Sequence, residues 1–393
     1  MRKLVLGLVA IIAFGAAVAW FWMHSARRDQ ASAPPVAQAT ASLPDIRIGL
    51  AAPLSGDQAA FGAQLKTGVE FAIAMVNANG GIAGRKVELV TRDDACDSAK
   101  AAGVAAEFVS SGIVAVIGHF CSGASEAAAA VYGPAQVVMI TPGSTDPRLT
   151  DQAGGTVFRT VWRDDYQGLI AAALIKQTMP KKKIGIIRDG TLYGQQVVTV
   201  FKAAVAKLEM PEAAADLVIG ADLSAKTAAA KLKSAGVGVV FVAAVPERSG
   251  AFVKALRDAG VTASIIGTDA MASPDFVKAA GAKAADGAIV TFARNPLDNP
   301  AAAKAIEKLL DQGKDPSGYV LNAFAAAEVL TAALGPVVKP DPAAPIDGKR
   351  LAATIRVNRF TTVLGEIAFD AKGDLSKPGV VYYVWKGGEL KAM

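Results

Sequence analysis

The sequence predicts an α/β protein with two doubly wound lobes joined by a hinge of several strands. Strand-like apolar runs alternate with helix-length stretches in two successive series, one starting near residue 45 and the other near residue 164. At 393 residues, the chain is also too long for a single hydrophobic core. The residues after 292 are too few for a third domain, so we expect them to complete the first lobe and then return to the second.

The first series is predicted from short apolar runs and from apolar residues at helical spacing. Phe61, Leu65 and Val69 recur on one helix face. Gly80 and Gly81 then end that helix, because glycine tolerates a left-handed backbone. Helices are expected near 61–76, 98–110 and 123–132, between strands near 46–50, 86–90, 113–117, 137–140 and 156–161.

The second series repeats the alternation and is followed by a mixed segment. Its strands are expected near 183–187, 217–219, 237–243, 264–266 and 288–292, with helices near 167–178, 193–208, 226–234, 249–259 and 274–280. Two helices near 301–312 and 319–334 and two strands near 366–369 and 380–385 follow. We therefore assign 45–163 and 293–366 to an N-terminal lobe, and 164–292 and 367–393 to a C-terminal lobe. Because the chain crosses between the lobes more than once, the lobes should move about a hinge.

The amino terminus has the order of an export segment. A short basic start precedes an apolar run from Leu4 to Met23. A small-residue cleavage site at 17–19 favours removal, whereas the apolar run is about long enough to span a bilayer. Residues 1–23 are therefore either a signal peptide or a retained membrane anchor. Residues 24–44, rich in Ala, Ser, Pro and Gln, are predicted to be a flexible linker.

The charge pattern argues against a nucleic-acid partner. The formal net charge is +6, but the lysines and arginines are scattered and aromatic residues are not interleaved with them. A nucleic-acid-binding protein usually concentrates its basic residues in a patch or stripe. We expect no nucleic-acid partner.

Signatures of an enzyme are scarce in the sequence. There are two histidines, His24 in the leader and His119, and no nucleophile elbow, dinucleotide fingerprint or phosphate loop accompanies them. Clusters of His and Cys suited to a metal are also missing. The acid pairs at 93–94 and 164–165 are interpreted as solvated caps or ion-pair members. We expect no catalytic residue, cofactor or metal.

The two cysteines, Cys96 and Cys121, are 25 positions apart. In an exported protein, two thiols usually form a disulfide. Closing a loop of this size stabilises a fold by about 3 kcal/mol in the chain-entropy model. The alternative is a reactive Cys121 beside His119, which would have to stay reduced outside the cytoplasm.

Hydroxyl groups follow two neighbouring strands of the first series. Ser122 opens a helix, where unpaired N–H groups suit a carboxylate, but Ser is also a common helix cap without any ligand. Gly143, Ser144 and Thr145 follow the next strand and form either a ligand loop or a plain turn. In a parallel sheet, ligands bind beyond the carboxyl ends of the strands, so these loops are candidates.

The second series places an acid and an aromatic ring at comparable positions. Asp269 follows a strand and could hold an ammonium group or simply cap the next helix. Tyr193 begins a helix after a strand and could close over a ligand or pack as a half-buried ring. Phe61, by its spacing alone, is interpreted as a core residue.

Several short motifs carry a family resemblance. They are PLSG at 53–56, NANGGI at 77–82, DDACD at 93–97, IGHFCS at 117–122, ITP at 140–142, FRT at 158–160, Tyr193-Gly194 and DPSG at 315–318. From about Ile46 to near the carboxyl terminus, the chain resembles the type I periplasmic solute-binding proteins, in particular the leucine/isoleucine/valine-binding branch of ABC uptake systems. The resemblance implies two Rossmann-like lobes of the type I periplasmic binding protein fold.

The resemblance also implies roles for individual residues. Ser122 and Thr145 would hold a ligand carboxylate, while Gly143 and Asp269 would accept an ammonium group. Tyr193 would close over the ligand, and the cysteines would form the family disulfide. Phe61, Phe120 and Tyr319 would line an aliphatic pocket. The predicted ligand-binding set is Ser122, Gly143, Ser144, Thr145, Tyr193, Asp269, Phe61 and Phe120.

The expected function is that of a monomeric periplasmic receptor that delivers an amino acid, branched-chain or otherwise hydrophobic, to the membrane permease of an ABC importer. The alternatives are a non-amino-acid carboxylate or amide as ligand, and a ligand sensor of the same fold. Three departures from the family leave side-chain selectivity open. An aromatic is missing from 242–248, where Arg248 adds a charge, Asp269 stands where Glu is common, and Gly143 replaces Ala.

Overall fold

A computed structural model describes Trp20 and residues 43–293, 298–377 and 379–393. The predicted leader at 1–23 and linker at 24–44 therefore lie outside the described residues, apart from Trp20, Leu43 and Pro44. The described part of Pro44–Met393 holds two main sheets and one two-stranded sheet.

The first sheet has five parallel strands, β1 (Ile46–Ala52), β2 (Val87–Asp93), β3 (Ala115–Gly118), β4 (Val138–Thr141) and β5 (Val157–Arg159). Their order in the sheet is β2-β1-β3-β4-β5. The central strands are fully buried apolar runs, as expected for a parallel sheet covered on both faces. Parallel pairing brings the carboxyl ends of all five strands to one edge.

The second sheet has seven strands and a mixed edge. Its strands are β6 (Ile184–Asp189), β7 (Ala215–Ile219), β8 (Val239–Ala243), β9 (Ser264–Gly267), β10 (Ile289–Ala293), β13 (Val380–Lys386) and β14 (Glu389–Ala392). Two further strands, β11 (Arg359–Thr362) and β12 (Gly365–Ala368), lie between β10 and β13 along the chain. The order is β14-β13-β10-β9-β8-β6-β7, and β11 and β12 pair as a separate hairpin. β13 runs antiparallel to both β10 and β14, whereas β6 to β10 pair in parallel.

Thirteen α-helices are present in the described residues from 43 onwards. They are α1 (Ala59–Ala78), α2 (Ser98–Ser110), α3 (Ser122–Ala135), α4 (Pro147–Asp151), α5 (Asp164–Thr178), α6 (Leu192–Lys207), α7 (Ala225–Ala235), α8 (Pro246–Asp258), α9 (Pro274–Ala280), α10 (Ala282–Ala285), α11 (Ala303–Asp311), α12 (Val320–Val338) and α13 (Gly348–Val357). Two short 3₁₀ helices span Asp269–Ala272 and Pro300–Ala302.

The chain returns to the first sheet after β10, and we call this sheet with its packed helices the first lobe. Asn322 on α12 exchanges two hydrogen bonds with Thr160 just after β5, of 2.7 and 2.9 Å. Gly68 on α1 lies against the carbonyl of Val320, where a side chain would not fit. α12 is long and apolar enough to span a membrane, but most of it is buried in the fold, as in a core helix.

The chain then reaches the second sheet again through β13 and β14, and this sheet with its helices is the second lobe. A buried ion pair marks one crossing: Arg159 at the end of β5 meets Asp374 at 2.6 Å, and Arg163 meets Asp374 at 2.7 Å. The predicted lobe boundaries stay a prediction, which the division of strands between the two sheets supports. β11, β14, α4, α10 and α13 had no counterpart among the predicted elements.

Candidate ligand-binding site

A cavity of about 350 Å³ lies between the two lobes, within the size range of small-molecule sites. The loops that line it follow β1, β2, β3 and β4 in the first lobe and β6, β8 and β9 in the second. Six of the predicted residues line it together: Ser122, Gly143, Tyr193, Asp269, Phe61 and Phe120. Tyr319, at the start of α12, completes the wall.

Ser122 occupies the first position of α3, directly after β3. Its side chain is 3% exposed, and its hydroxyl has no hydrogen-bond partner among the described residues. The preceding Cys121 gives the helix no side-chain cap. A free hydroxyl and the first turn of a helix therefore face the cavity together, an arrangement that suits an anionic group.

The loop after β4 is held by hydrogen bonds from its own lobe. The hydroxyl of Thr141 accepts the backbone N–H of Ser144 at 2.9 Å and donates to the carbonyl of His119 at 2.6 Å. The guanidinium of Arg159 donates to the carbonyls of Ser144 and Asp146 at 2.9 and 3.0 Å. These bonds fix the backbone that carries Gly143 into the cavity.

Two predicted ligand residues of this loop turn away from the cavity. Ser144 is fully buried and donates to the carbonyl of Phe120 at 2.8 Å, while its hydroxyl also bonds Ser125 at 2.6 Å. Thr145 is also fully buried, and its hydroxyl lies beside Asp164 without a hydrogen bond of good geometry. The described structure therefore brings Gly143 to the cavity surface but not Ser144 or Thr145.

Asp269 opens the 3₁₀ helix after β9 and is 5% exposed. Its carboxylate accepts three hydrogen bonds, from the hydroxyl of Tyr193 at 2.6 Å, the hydroxyl of Tyr319 at 2.5 Å and the amide of Gln167 at 2.9 Å. A carboxylate offers about four acceptor positions, so one position remains for a ligand.

A second acid lies close behind Asp269. Gln167 also donates to Asp164 at 2.9 Å, so one amide bridges the two carboxyl groups. Burial, and next the charge of Asp269, holds the pKa of Asp164 well above its usual range. The interpretation of the acids at 164–165 as solvated caps or ion-pair members is wrong for Asp164, which is completely buried at the first crossing between the lobes and bonds the amide of Gln167.

Burial and the charge of Asp269 keep both tyrosines protonated. Burial, followed by the charge of Asp269, raises the pKa of Tyr193 and of Tyr319 well above the ordinary value. Both hydroxyls therefore remain donors toward Asp269 at any physiological pH. Two buried acids with neutral donors around them create a region that a cation would stabilise.

Aromatic rings form the apolar part of the wall. Phe61 and Phe120 stack with ring centres 4.6 Å apart, and Tyr319 meets Phe120 edge-on at 5.0 Å. A methyl group at Gly143 would collide with the ring of Phe120, so the ring can take this position only because residue 143 is glycine. Phe61 is thus both a core residue and a cavity residue.

The disulfide between Cys96 and Cys121 is present, and both half-cystines line the cavity. It joins the loops after β2 and β3, so the interpretation of Cys121 as a reactive thiol is wrong. His119 instead contacts Asp94 at 2.7 Å in a fully buried pair. No group of three or more His, Cys, Asp or Glu that could hold a metal occurs in the part of the chain that the structure describes.

Several cavity residues were not among the predicted site residues. Asp57 and Gln58 line the cavity just before α1, and Gln167 bridges the acids behind it. The sequence did contain a signal for Gln58. It is a polar residue that follows β1, just as Ser122 is a polar residue that follows β3. Arg248 does line the cavity, from the first turn of α8.

Comparison with known proteins decides the family. Residues 45–389 match the family described as "Periplasmic binding protein". A Leu/Ile/Val-binding protein homolog 2 from Brucella abortus is 36% identical over 354 residues, which cover 90% of this chain and 94% of that protein. The chain belongs to the periplasmic binding protein family.

Solved structures agree with this membership. A leucine-binding protein of Thermotoga maritima superposes on this periplasmic binding protein with a TM-score of 0.79 at 24% identity, covering 88% of this chain and 97% of that one, and shows the shared fold. A branched-chain amino acid transporter substrate-binding protein of Streptococcus pneumoniae, solved with isoleucine, has a TM-score of 0.78 at 25% identity and covers 88% and 98%. The predicted fold class, two α/β lobes of the type I periplasmic binding protein fold, is confirmed.

Proposed function

We propose that the protein is the solute receptor of an ABC importer and that it captures a free amino acid between its lobes. One observation carries the proposal: a free hydroxyl on a helix start, Ser122, and a buried carboxylate, Asp269, line the same cavity from opposite lobes. An amino acid presents the complementary pair of charges. Membership of the periplasmic binding protein family implies an extracytoplasmic location, and the Streptococcus pneumoniae structure named above is that of a branched-chain amino acid transporter substrate-binding protein with isoleucine bound.

The ligand carboxylate would be held by the first lobe. The hydroxyl of Ser122 and the first N–H groups of α3 would donate charge-assisted hydrogen bonds to this carboxylate. Thr145 remains a predicted carboxylate ligand. Its unpartnered hydroxyl supports that role, but the hydroxyl must turn from its place beside Asp164 to reach the cavity.

The ligand ammonium would lie against the second lobe. The remaining acceptor position of Asp269 and the carbonyl of Gly143 are the proposed partners. Burial and the negative charge of Asp269 raise the pKa of Asp164 across the shared amide of Gln167, and the cation would also offset this charge. Closing the lobes excludes water and so strengthens these interactions.

The apolar wall would receive the side chain. The stacked rings of Phe61 and Phe120 cover this part of the cavity.

We further propose that a membrane permease recognises the closed form with its ligand bound. We also propose that the receptor acts as a monomer and does not chemically change its ligand.

The test is calorimetric titration of the purified protein with the common amino acids and with benzoate as an ammonium-free carboxylate. We expect at least one amino acid to bind. Asp269→Asn should lower the affinity for that amino acid at least thirtyfold, or ~2 kcal/mol, because the buried ammonium loses its charged partner. Asp258→Asn is the matched control, since that carboxylate is exposed on α8.

Two results would contradict the proposal. A loss of less than tenfold in Asp269→Asn would remove Asp269 from the ammonium site. Binding of benzoate in the absence of any amino-acid binding would instead establish the alternative ligand class, a carboxylate without an ammonium group.

A further inference from the structure

Gln58 has an environment that its own fold does not explain. It immediately precedes α1, is 8% exposed, and lines the cavity. Its backbone carbonyl accepts hydrogen bonds from Phe61 and Gly62, but its carboxamide has no partner among the described residues. A carboxamide that opens to the cavity without a protein partner is available to hydrogen-bond a ligand.

Arg248 faces the same cavity from the second lobe. It is exposed in the first turn of α8, and it forms no ion pair with any described residue. The acids nearest this part of the cavity are Asp57, which also lines it, and Glu247, whose buried carboxyl lies near Asp57. Neither acid neutralises Arg248 through a direct contact, so its guanidinium is available to a ligand.

We propose that Gln58 and Arg248 form the subsite for the ligand side chain, and that the preferred ligand is an amino acid whose side chain ends in a carboxylate or a carboxamide. This inference rests on the proposed amino-acid function and goes beyond the aliphatic ligands expected from the sequence. Ser122 and Asp269 remain the partners of the α-carboxylate and the ammonium.

The chemistry of the two side chains selects this class. A carboxamide pairs in one plane with a carboxylate or another carboxamide, and a guanidinium donates two parallel hydrogen bonds to the same planar groups. An aliphatic side chain of equal size would leave the buried amide of Gln58 unpaired when the lobes close. A site with buried hydrogen-bonding groups discriminates strongly against analogues that lack the matching groups. The rings of Phe61 and Phe120 would cover the methylene groups of the ligand's stem.

The first experiment uses the unaltered full chain. Its affinity is measured by calorimetry for pairs of similar shape, asparagine against leucine and glutamine against methionine, with aspartate and glutamate as the charged members. We expect the polar member of at least one pair to bind at least tenfold more tightly than its apolar counterpart.

Variants then assign the preference to the two residues. Gln58→Leu should weaken the preferred polar ligand at least tenfold and leave the apolar counterpart unchanged or tighter. Arg248→Met should weaken acidic ligands more than amides, and Arg350→Met, an exposed arginine outside the cavity, should change neither. Thermal unfolding of each variant confirms that it is folded.

Three results would contradict the inference or the function on which it rests. If neither polar member binds at least tenfold more tightly than its apolar counterpart, the inference is wrong while the proposed amino-acid function stands. If Arg248→Met weakens acidic, amide and apolar ligands by the same factor, Arg248 does not select the side chain. If no amino acid binds at all, the proposed function itself fails.

Discussion

The two walls of the cavity are stabilised in different ways. In the first lobe, the ligand loop at 141–146 is fixed by the hydroxyl of Thr141 and the guanidinium of Arg159, both from the same lobe. In the second lobe, the carboxylate of Asp269 depends in part on a donor from across the cleft, the hydroxyl of Tyr319.

This difference suggests an order of binding. The first wall keeps its geometry whether or not the second lobe is near, so it can receive the ligand carboxylate while the cleft is open. The second wall reaches its described hydrogen-bonding state only when the lobes meet. We therefore infer that the first lobe captures the ligand and that the second lobe reports its presence by closing.

The largest expected effect comes from breaking the support of the first wall. Arg159→Met removes a fully buried guanidinium that pairs with Asp374 at 2.6 Å and holds two loop carbonyls. We expect the free energy of unfolding to fall by about 3–5 kcal/mol, the cost of breaking a buried pair. Denaturant unfolding measures it. Arg359→Met, which breaks an exposed pair with Glu366, should change it by less than about 1 kcal/mol, and an equal loss in both variants would contradict the assigned role.

The second prediction concerns the link between the loops after β2 and β3. Replacing Cys96 and Cys121 together by serine should lower the free energy of unfolding by about 3 kcal/mol, since the unfolded chain regains the entropy of the closed loop. Ligand affinity should fall as well, because both residues line the first wall. A reducing agent should destabilise the unaltered protein by the same amount and leave the double variant unchanged. Equal stability of the two proteins without the reducing agent would contradict the prediction.

Much of the fold could be predicted because its strands are continuous apolar runs with helices of regular spacing between them. β3 and β4 are fully buried and were predicted from the apolar runs at 113–117 and 137–140. β11 and β14 were missed because they are four residues long and mostly polar, with only Phe360 as a large apolar residue in β11, so no apolar run marks them. Each pairs with the strand next to it along the chain, β12 and β13, across a turn of two residues.

The site was predictable as a set of loops but not in its side-chain directions. Ser122, Tyr193 and Asp269 follow strand ends, and the parallel sheets bring them to one cavity. Thr145 turns inward because Thr141 and Arg159 fix its loop, and local sequence does not reveal such tertiary bonds. The burial of Asp164 likewise depends on the crossing between lobes.

The stability of the first lobe should depend on pH through a residue that lies outside both walls. Glu328 lies on α12, outside the cavity, and burial raises its pKa to about 7. Because the folded state binds this proton more tightly than the unfolded state, its contribution lowers stability as pH rises from about 4.5 to about 7. Glu328→Gln keeps an acceptor for the N–H of Val363, which donates at 2.7 Å.

We expect Glu328→Gln to be more stable than the unaltered protein at pH 8 by about 1.4 kcal/mol, the equivalent of one pKa unit after allowance for the partly exposed carboxyl. The gain should disappear near pH 4.5. Denaturant unfolding across this range checks it, with the exposed Glu366→Gln as control. Because Glu328 is remote from both walls, ligand affinity should stay constant; a changed affinity would contradict this placement.

The smallest effect tests the comparison most directly, because two tyrosines donate to one carboxylate from different lobes. Tyr319 is anchored to the first lobe, where its backbone N–H donates to Gln64 at 2.8 Å, while Tyr193 and Asp269 both belong to the second. Tyr319→Phe should therefore remove about 1 kcal/mol from the closed form and shift the ligand-free protein about fivefold toward the open form. Small-angle X-ray scattering should show a larger radius of gyration. Tyr193→Phe loses the same kind of bond within one lobe and should leave the radius unchanged, so equal radii in the two variants would show that closure does not depend on the bond across the cleft.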